Sequence, residues 1–122
     1  MFERLPELVN DNAALVWRGR YLSADVLLQS GSAPYHVDIR EGRIAQVLLG
    51  PVLMRPWRFA IRAETAAWQA FWQAMPKPGY HDIFAMCKLG VASIEGDLQP
   101  LMANLRYVKE VLAAPRNGAG SN

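Results

Sequence analysis

Residues 68–90 read WQAFWQAMPKPGYHDIFAMCKLG, two apolar clusters separated by a turn rich in proline and glycine. Trp68, Phe71, Trp72 and Met75 fall at i, i+3, i+4 and i+7, one stripe of a helix that must stop before Pro76. Tyr80, Ile83, Phe84 and Cys87 repeat that spacing, and Gly90 stands where a helix C-terminal cap belongs. Asp82 sits near the start of this second helix, where a carboxylate is favoured. Helical spacing alone says that a face is covered, which is what a packed core requires. The excess of Trp and Met points toward a walled space instead, because methionine adapts to irregular contents and aromatic rings frame ligand sites.

Toward the C-terminus, VASIEG at 91–96 reads as a short strand, and Asp97 is suited to cap a last helix. Leu98, Leu101, Met102, Leu105, Val108 and Leu112 share one face of that helix, with Pro100 tolerated in its first turn. Tyr107 lies half a turn away, on a ridge with Pro100, Asn104 and Val111. That ridge predicts a weak homodimer across a two-fold axis. From Pro115 the chain is polar and glycine-bearing, so residues 115–122 are expected to form a disordered tail beyond a single domain over 1–114.

Toward the N-terminus, WRFAIR at 57–62 alternates Trp57, Phe59 and Ile61 with Arg58, Ala60 and Arg62, a strand with one buried face. A GPVLMRP linker precedes it. From Ala14 to about Leu49 the pattern reads as an antiparallel meander: WRGRY, DVLLQ, a turn at SGSAP, YHVDIR, an EG turn and RIAQVLL. The EG turn fits either a two-residue loop or a type I turn with a glycine bulge, and the two leave different registers. Before the strands, Phe2, Leu5 and Val9 share the face of a short amphipathic helix that lids the domain. About six strands and three or four helices, each with one apolar face, predict an α+β fold: a mostly antiparallel sheet of five or six strands with helices packed on one side.

Composition excludes several classes. The 122 residues are enough for one core and too few for two domains. Hydrophobic residues make up 52% of the chain, yet no apolar run approaches the roughly 18 residues of a membrane-spanning helix. The first ten residues carry Glu3 and Glu7 and lack a signal-peptide core, and the single Cys87 cannot form an internal disulfide, so a cytoplasmic, reducing location is expected. Net charge is +2, with ten arginines and three lysines, and no zinc-finger spacing, basic helix or aromatic RNA-binding strand motif speaks for nucleic acid.

From about Asp25 to Leu112 the order of elements resembles the sterol carrier protein type 2 family of lipid-binding domains. Gly90, the strand VASIE, Gly96, Asp97 and Leu98 occupy the positions of that family's glycine, short strand and Gly-Asp pair opening a final helix. WRFAIRAETAAWQAFW looks like the strand and helix that precede them. The resemblance implies an α+β domain with an apolar cavity between sheet and helices that holds sterols, fatty acids, acyl-CoA or isoprenoid-like lipids, with no catalytic residues and no cofactor. The chain departs from the family in its short N-terminal helix and its aromatic-bearing linker PKPGYHDIF.

On this reading the ligand-binding residues are Trp57, Phe59, Trp68, Phe71, Trp72, Phe84, Met86, Met102 and Leu105. The function expected is binding or carriage of a hydrophobic small molecule without bond chemistry. The alternative is an accessory module whose apolar groove takes a partner protein of lipid metabolism. Arg18, Arg20, Arg58 and Arg62, read on strands, either form a solvated face paired with Asp38 or Glu95, or dock anionic headgroups or a CoA phosphate, with Arg55 near the entrance, in transient contact with anionic membranes. His81 and Asp82 are adjacent and point about 100 degrees apart on a helix, so they form no acid–base dyad. Cys87 reads as an inert core thiol, and two histidines without a ligand cluster predict no metal site.

Overall fold

The computed structural model describes residues 2–50 and 56–120, with side chains as far as Arg116. A 3-10 turn at Phe2–Arg4 runs into α1, Leu5–Asn10. Phe2, Leu5 and Val9 are all buried, so the predicted face is the one that packs. Phe2 sits edge-on to Tyr35, Trp68 and Trp72, with ring centroids 5.2, 5.0 and 5.1 Å away.

The first correction follows immediately. WRGRY is not a strand: Ala13–Arg18 form α2, and Arg18 and Arg20 stand at and beyond its end. Asn12 decides this, because its side chain accepts the Leu15 amide hydrogen at 3.1 Å and satisfies a helix N-terminal donor. The helix stops at Gly19, where a Cβ would lie 2.3 Å from the Tyr107 ring.

Five strands follow the expected segments: β1 Ala24–Ser30, β2 Ala33–Arg40, β3 Arg43–Leu49, β4 Phe59–Ala63 and β5 Ala92–Gly96. Their order across the sheet is β3-β2-β1-β4-β5. Every pairing is antiparallel except that of β1 with β4, which places Val26 beside Phe59 and Leu28 beside Ile61. The EG turn is the two-residue loop: Glu41 (φ 49°) and Gly42 (φ 83°) are both left-handed, as a type I′ turn requires, and Arg40 pairs with Arg43. The one irregularity in that hairpin lies further up, between Asp38 and Ile39.

After β4 come α3, Thr65–Phe71, and α4, Ile83–Lys88. α3 ends well before Pro76, leaving Met75 at 91% exposure rather than on the stripe. α4 closes with a Schellman motif: the Gly90 amide donates to the Cys87 carbonyl at 3.0 Å and the Val91 amide to the Met86 carbonyl at 3.1 Å. Gly90 (φ 78°) supplies the left-handed residue that motif needs.

The single last helix is in fact two, α5 Gln99–Ala103 and α6 Leu105–Gly120. They break at Asn104, whose side-chain amide donates to the Pro100 carbonyl at 3.0 Å. The break rotates the apolar stripe: Leu98 and Met102 face solvent, while Leu101 is buried. Tyr107 is a second correction. It is 1% exposed and its hydroxyl donates to the Gly42 carbonyl at 2.7 Å, so the Tyr107 ridge cannot be a dimer face. α6 itself continues through Pro115 to Gly120.

The core lies between the helices and one sheet face, where Val26, Leu28, Val37, Ile39, Phe59 and Ile61 point. Leu27, His36 and Ala60, aligned across β1, β2 and β4, are buried on the other face.

Candidate functional site

α6 carries two faces. Tyr107, Val108 and Val111 point to the sheet, whereas Leu105, Lys109 and Ala113, at i, i+4 and i+8, form a separate ridge. That ridge forms one wall of a groove of about 560 Å³, whose floor and far side come from Phe71, Ile83 and Leu112. His81, Asp82, Arg106, Lys109 and Glu110 make a charged rim.

The elements around the groove are tied together through backbone groups, some of them left unmet at helix ends. The Phe71 carbonyl, at the last residue of α3, accepts from the Arg116 guanidinium, with Nε at 2.7 Å. In return, the Trp72 indole Nε1 donates to the Leu112 carbonyl at 2.9 Å. These reciprocal bonds lock the end of α3 to the C-terminal half of α6. Asp82 caps α4, its Oδ1 accepting from the Phe84 amide at 2.6 Å and the Ala85 amide at 3.4 Å. Its Oδ2 meets Lys109 Nζ at 3.4 Å across the groove. Burial alone would raise the Asp82 carboxyl, but those amides and the Lys109 ammonium hold it below the ordinary carboxylate range. Both oxygens of Asp82 are thus engaged away from His81. Cys87, half-buried on α4, has its thiol pushed up by burial and by the Asp82 charge, the opposite of an activated nucleophile.

Of the residues expected to bind ligand, Phe71 and Leu105 line the groove. Phe59 lines a second, smaller apolar space of about 20 Å³ between the sheet and α6. The larger groove lies on the side of α6 away from that space. Trp68 belongs to the aromatic core with Phe2, Phe71 and Trp72, its Nε1 donating to the Gln29 carbonyl at 2.8 Å. Met86 is wholly buried. Phe84 is half-buried under the Lys109 ammonium, 5.3 Å from its ring centroid. Trp57 lies beside Arg62, 5.8 Å away at the sheet edge, and Met102 is 55% exposed.

Ile83, Lys109, Leu112 and Ala113 were not among the expected binding residues, although the i, i+4, i+8 ridge from Leu105 was a readable signal for three of the groove's residues. A further groove of about 630 Å³, between α3 and β5, has Arg62, Glu64 and Lys77 among its lining and is the more polar of the two.

Three of the four arginines are occupied. Arg18 pairs with Glu110, Arg58 with Asp97 at 3.1 Å, and Arg62 with Glu95 and Gln29. Arg20 differs. Its guanidinium lies over the Trp17 and Tyr21 rings, 3.7 and 4.4 Å from their centroids, and it pairs with no carboxylate among the described residues. Trp17 and Tyr21 are 66% and 80% exposed. Arg55 lies outside the described residues. Among the described residues no helix is long and apolar enough to cross a membrane, and no three His, Cys, Asp or Glu side chains gather as metal ligands.

No family model matches the chain, and no curated protein matches it in sequence. Its fold, however, is shared with solved structures. A crystal structure of sterol carrier protein 2 is similar to it with a TM-score of 0.72 at 14% identity, over 94% of this chain and 92% of the other. The UbiJ-SCP2 ubiquinone synthesis protein is similar with a TM-score of 0.60 at 13% identity, over 93% and 85%. Sterol carrier protein 2 from Yarrowia lipolytica, in its apo form, is similar with a TM-score of 0.56 at 10% identity, over 95% and 89%. The fold is sterol carrier protein 2-like, as the sequence resemblance implied.

Proposed function

We propose that this domain binds and carries an apolar ligand, a fatty acid, acyl-CoA, sterol-like or isoprenoid lipid, without making or breaking bonds. The groove between α4 and α6 carries this reading. Its volume of about 560 Å³ lies within the roughly 300–1,000 Å³ typical of small-molecule sites. Its apolar floor suits a hydrocarbon, and its rim of paired charges suits a polar head kept in water. Each methylene sheltered there contributes about 0.8 kcal/mol before the cost of ordering the ligand. The likeness to sterol carrier proteins supports the same role.

The groove is open on one side, at exposed His81 and Arg106, and that openness supports a second reading: an accessory module holding a partner protein of lipid metabolism. The structural neighbour named as a ubiquinone synthesis protein is in keeping with it. For loading and release we infer brief contact with anionic lipid surfaces through Arg20 and its flanking aromatic rings, which have the composition favoured at a membrane interface.

The test is saturable uptake of fluorescent fatty-acid, isoprenoid and sterol probes by the delipidated protein, with mass spectrometry of organic extracts from the protein as purified. Leu105→Arg, which places a charge in the groove at a half-buried position, should abolish uptake while leaving the fold intact. A wild type that takes up none of the probes, and whose extracts hold no apolar compound, removes the carrier reading.

A further inference from the structure

Among the described residues two carboxylates line the larger groove, and both are divided among several partners. Glu110 is shared by Arg18 and by Arg106, which meets it at 3.2 Å. Asp82 gives Oδ1 to the Phe84 and Ala85 amides that open α4, leaving Oδ2 for Lys109. Three cations therefore face two carboxylates, and one of the two is half committed to a helix end. The surplus charge at this rim is positive. Lys109 is the cation placed to use it. It stands on the ridge between Leu105 and Ala113, about 6 Å along the helix from each. Its ammonium lies 5.3 Å from the Phe84 ring centroid and its side chain is 39% exposed, so the stem covers apolar surface while the charge stays at the water boundary. The contact with Asp82 Oδ2, at 3.4 Å, is longer than a strong charge-assisted hydrogen bond, and a bridge so exposed contributes little. Lys109 is thus held over the groove by a partner it can give up at small cost. Arg106, at 77% exposure, is the more solvated of the two lining cations.

We propose that Lys109 reads the ligand's head group, and that the ligand is an acidic amphiphile with a carboxylate or phosphate head, in preference to a neutral sterol, alcohol or isoprenoid. This rests on the carrier reading above and narrows its ligand class by charge. An acidic head at the groove mouth takes the ammonium from Asp82 Oδ2, while Asp82 Oδ1 stays bonded to the α4 amides and the helix start remains in place. The ammonium is a compact point charge with three rotatable donors, so either kind of acid satisfies it. A neutral hydroxyl or ketone offers no charge in exchange for the one Lys109 would leave. Asp82 is therefore both the placeholder for the head group and the competitor that only another anion displaces.

The experiment displaces a neutral fluorescent lipid probe with dodecanoic acid, dodecyl phosphate and dodecanol, which share one tail and differ in charge. In wild type both acids should compete better than the alcohol, and added salt should narrow the difference. The ratio of acid to alcohol affinity should fall about tenfold in Lys109→Gln, the size of one charge-assisted hydrogen bond at a partly exposed site, and Lys109→Arg should keep most of it. Asp82→Asn, which retains a capping side chain and removes the competing charge, should raise the ratio. An alcohol that competes as well as both acids in wild type overturns the proposal. A ratio unmoved by Lys109→Gln, or lowered by Asp82→Asn, does the same. Each of these results, with the alcohol bound, removes the head-group assignment and leaves the carrier reading standing. A wild type that binds neither the probe nor any of the three competitors removes the carrier reading and the assignment together.

Discussion

Phe2→Ala offers the sharpest stability test, because one buried ring there contacts three others. Phe2 is 1% exposed and contacts three aromatic rings edge-on at 5.0 to 5.2 Å. Truncating a buried Phe costs about 3–5 kcal/mol, and ring pairs of this geometry add about 0.5–1.5 kcal/mol each beyond burial, so the upper part of that range applies. A loss of about 4 kcal/mol is a large share of the roughly 5–15 kcal/mol that holds a domain together. With a urea m-value of about 2 kcal/mol/M, the midpoint should fall by roughly 2 M. The loss should also spread to α6, because Phe2 braces Trp72 and Trp72 holds the Leu112 carbonyl. Amide and indole hydrogen exchange should therefore accelerate at Trp72 and along the C-terminal half of α6. A midpoint shift below roughly 0.5 M, with unchanged exchange at Trp72, would mean that the N-terminal segment detaches freely, and the reasoning from burial would fail.

Tyr107→Phe removes the hydroxyl bonded to the Gly42 carbonyl at 2.7 Å and should cost about 1–2 kcal/mol in denaturant unfolding, the range for stranding a buried acceptor; no measurable loss would show that the bond contributes nothing net. Asp82 has a lowered folded pKa, so its contribution is complete above its unfolded value near 3.8 and disappears as pH falls through the folded one. Asp82→Asn should flatten the stability curve over that acid window in urea titrations, by a small amount because the group is partly exposed; curves of equal slope would contradict the assignment. Arg20→Glu and Trp17→Ala should weaken sedimentation with anionic vesicles in a salt-sensitive way, whereas Arg58→Gln, at a paired position, should not; equal effects from all three would count against the Arg20 patch.

Much of the secondary structure could be read from local pattern because local chemistry sets it. The buried face at Phe2, Leu5 and Val9, the helix start at Asp82 and the stop at Gly90 depend on neighbours within a turn or two. The misreading of WRGRY has a local cause as well: its alternation mimics a strand, but Asn12, just upstream, caps a helix. The break at Asn104 was hidden by a stripe that continued across it, and five residues of α5 are too few for periodicity to register a rotation. Tyr107 was misplaced for a different reason. Its partner at Gly42 is 65 residues away, a distance over which no periodicity carries information. The groove was half legible for the same reason: Phe71 and Leu105 could be named from their own helices, but Ile83 and Leu112 join it only through the packing of α4 beside α6.

The bracing of Trp72 by Phe2 on one side and by α6 on the other also bears on how the protein emerges during synthesis. The first residues and the last helix enclose opposite ends of one aromatic core, since Phe2 rests on Trp72 and Trp72 on the Leu112 carbonyl. At about 5–20 residues per second, a ribosome needs on the order of 5–20 s to pass from one to the other. From the moment each is made until α6 follows, Val26, Leu28, Phe59 and Ile61 have no α6 to cover them. The nascent chain thus presents the face of a nearly complete sheet until its final helix is free, and a chaperone that binds apolar strands has its opportunity then.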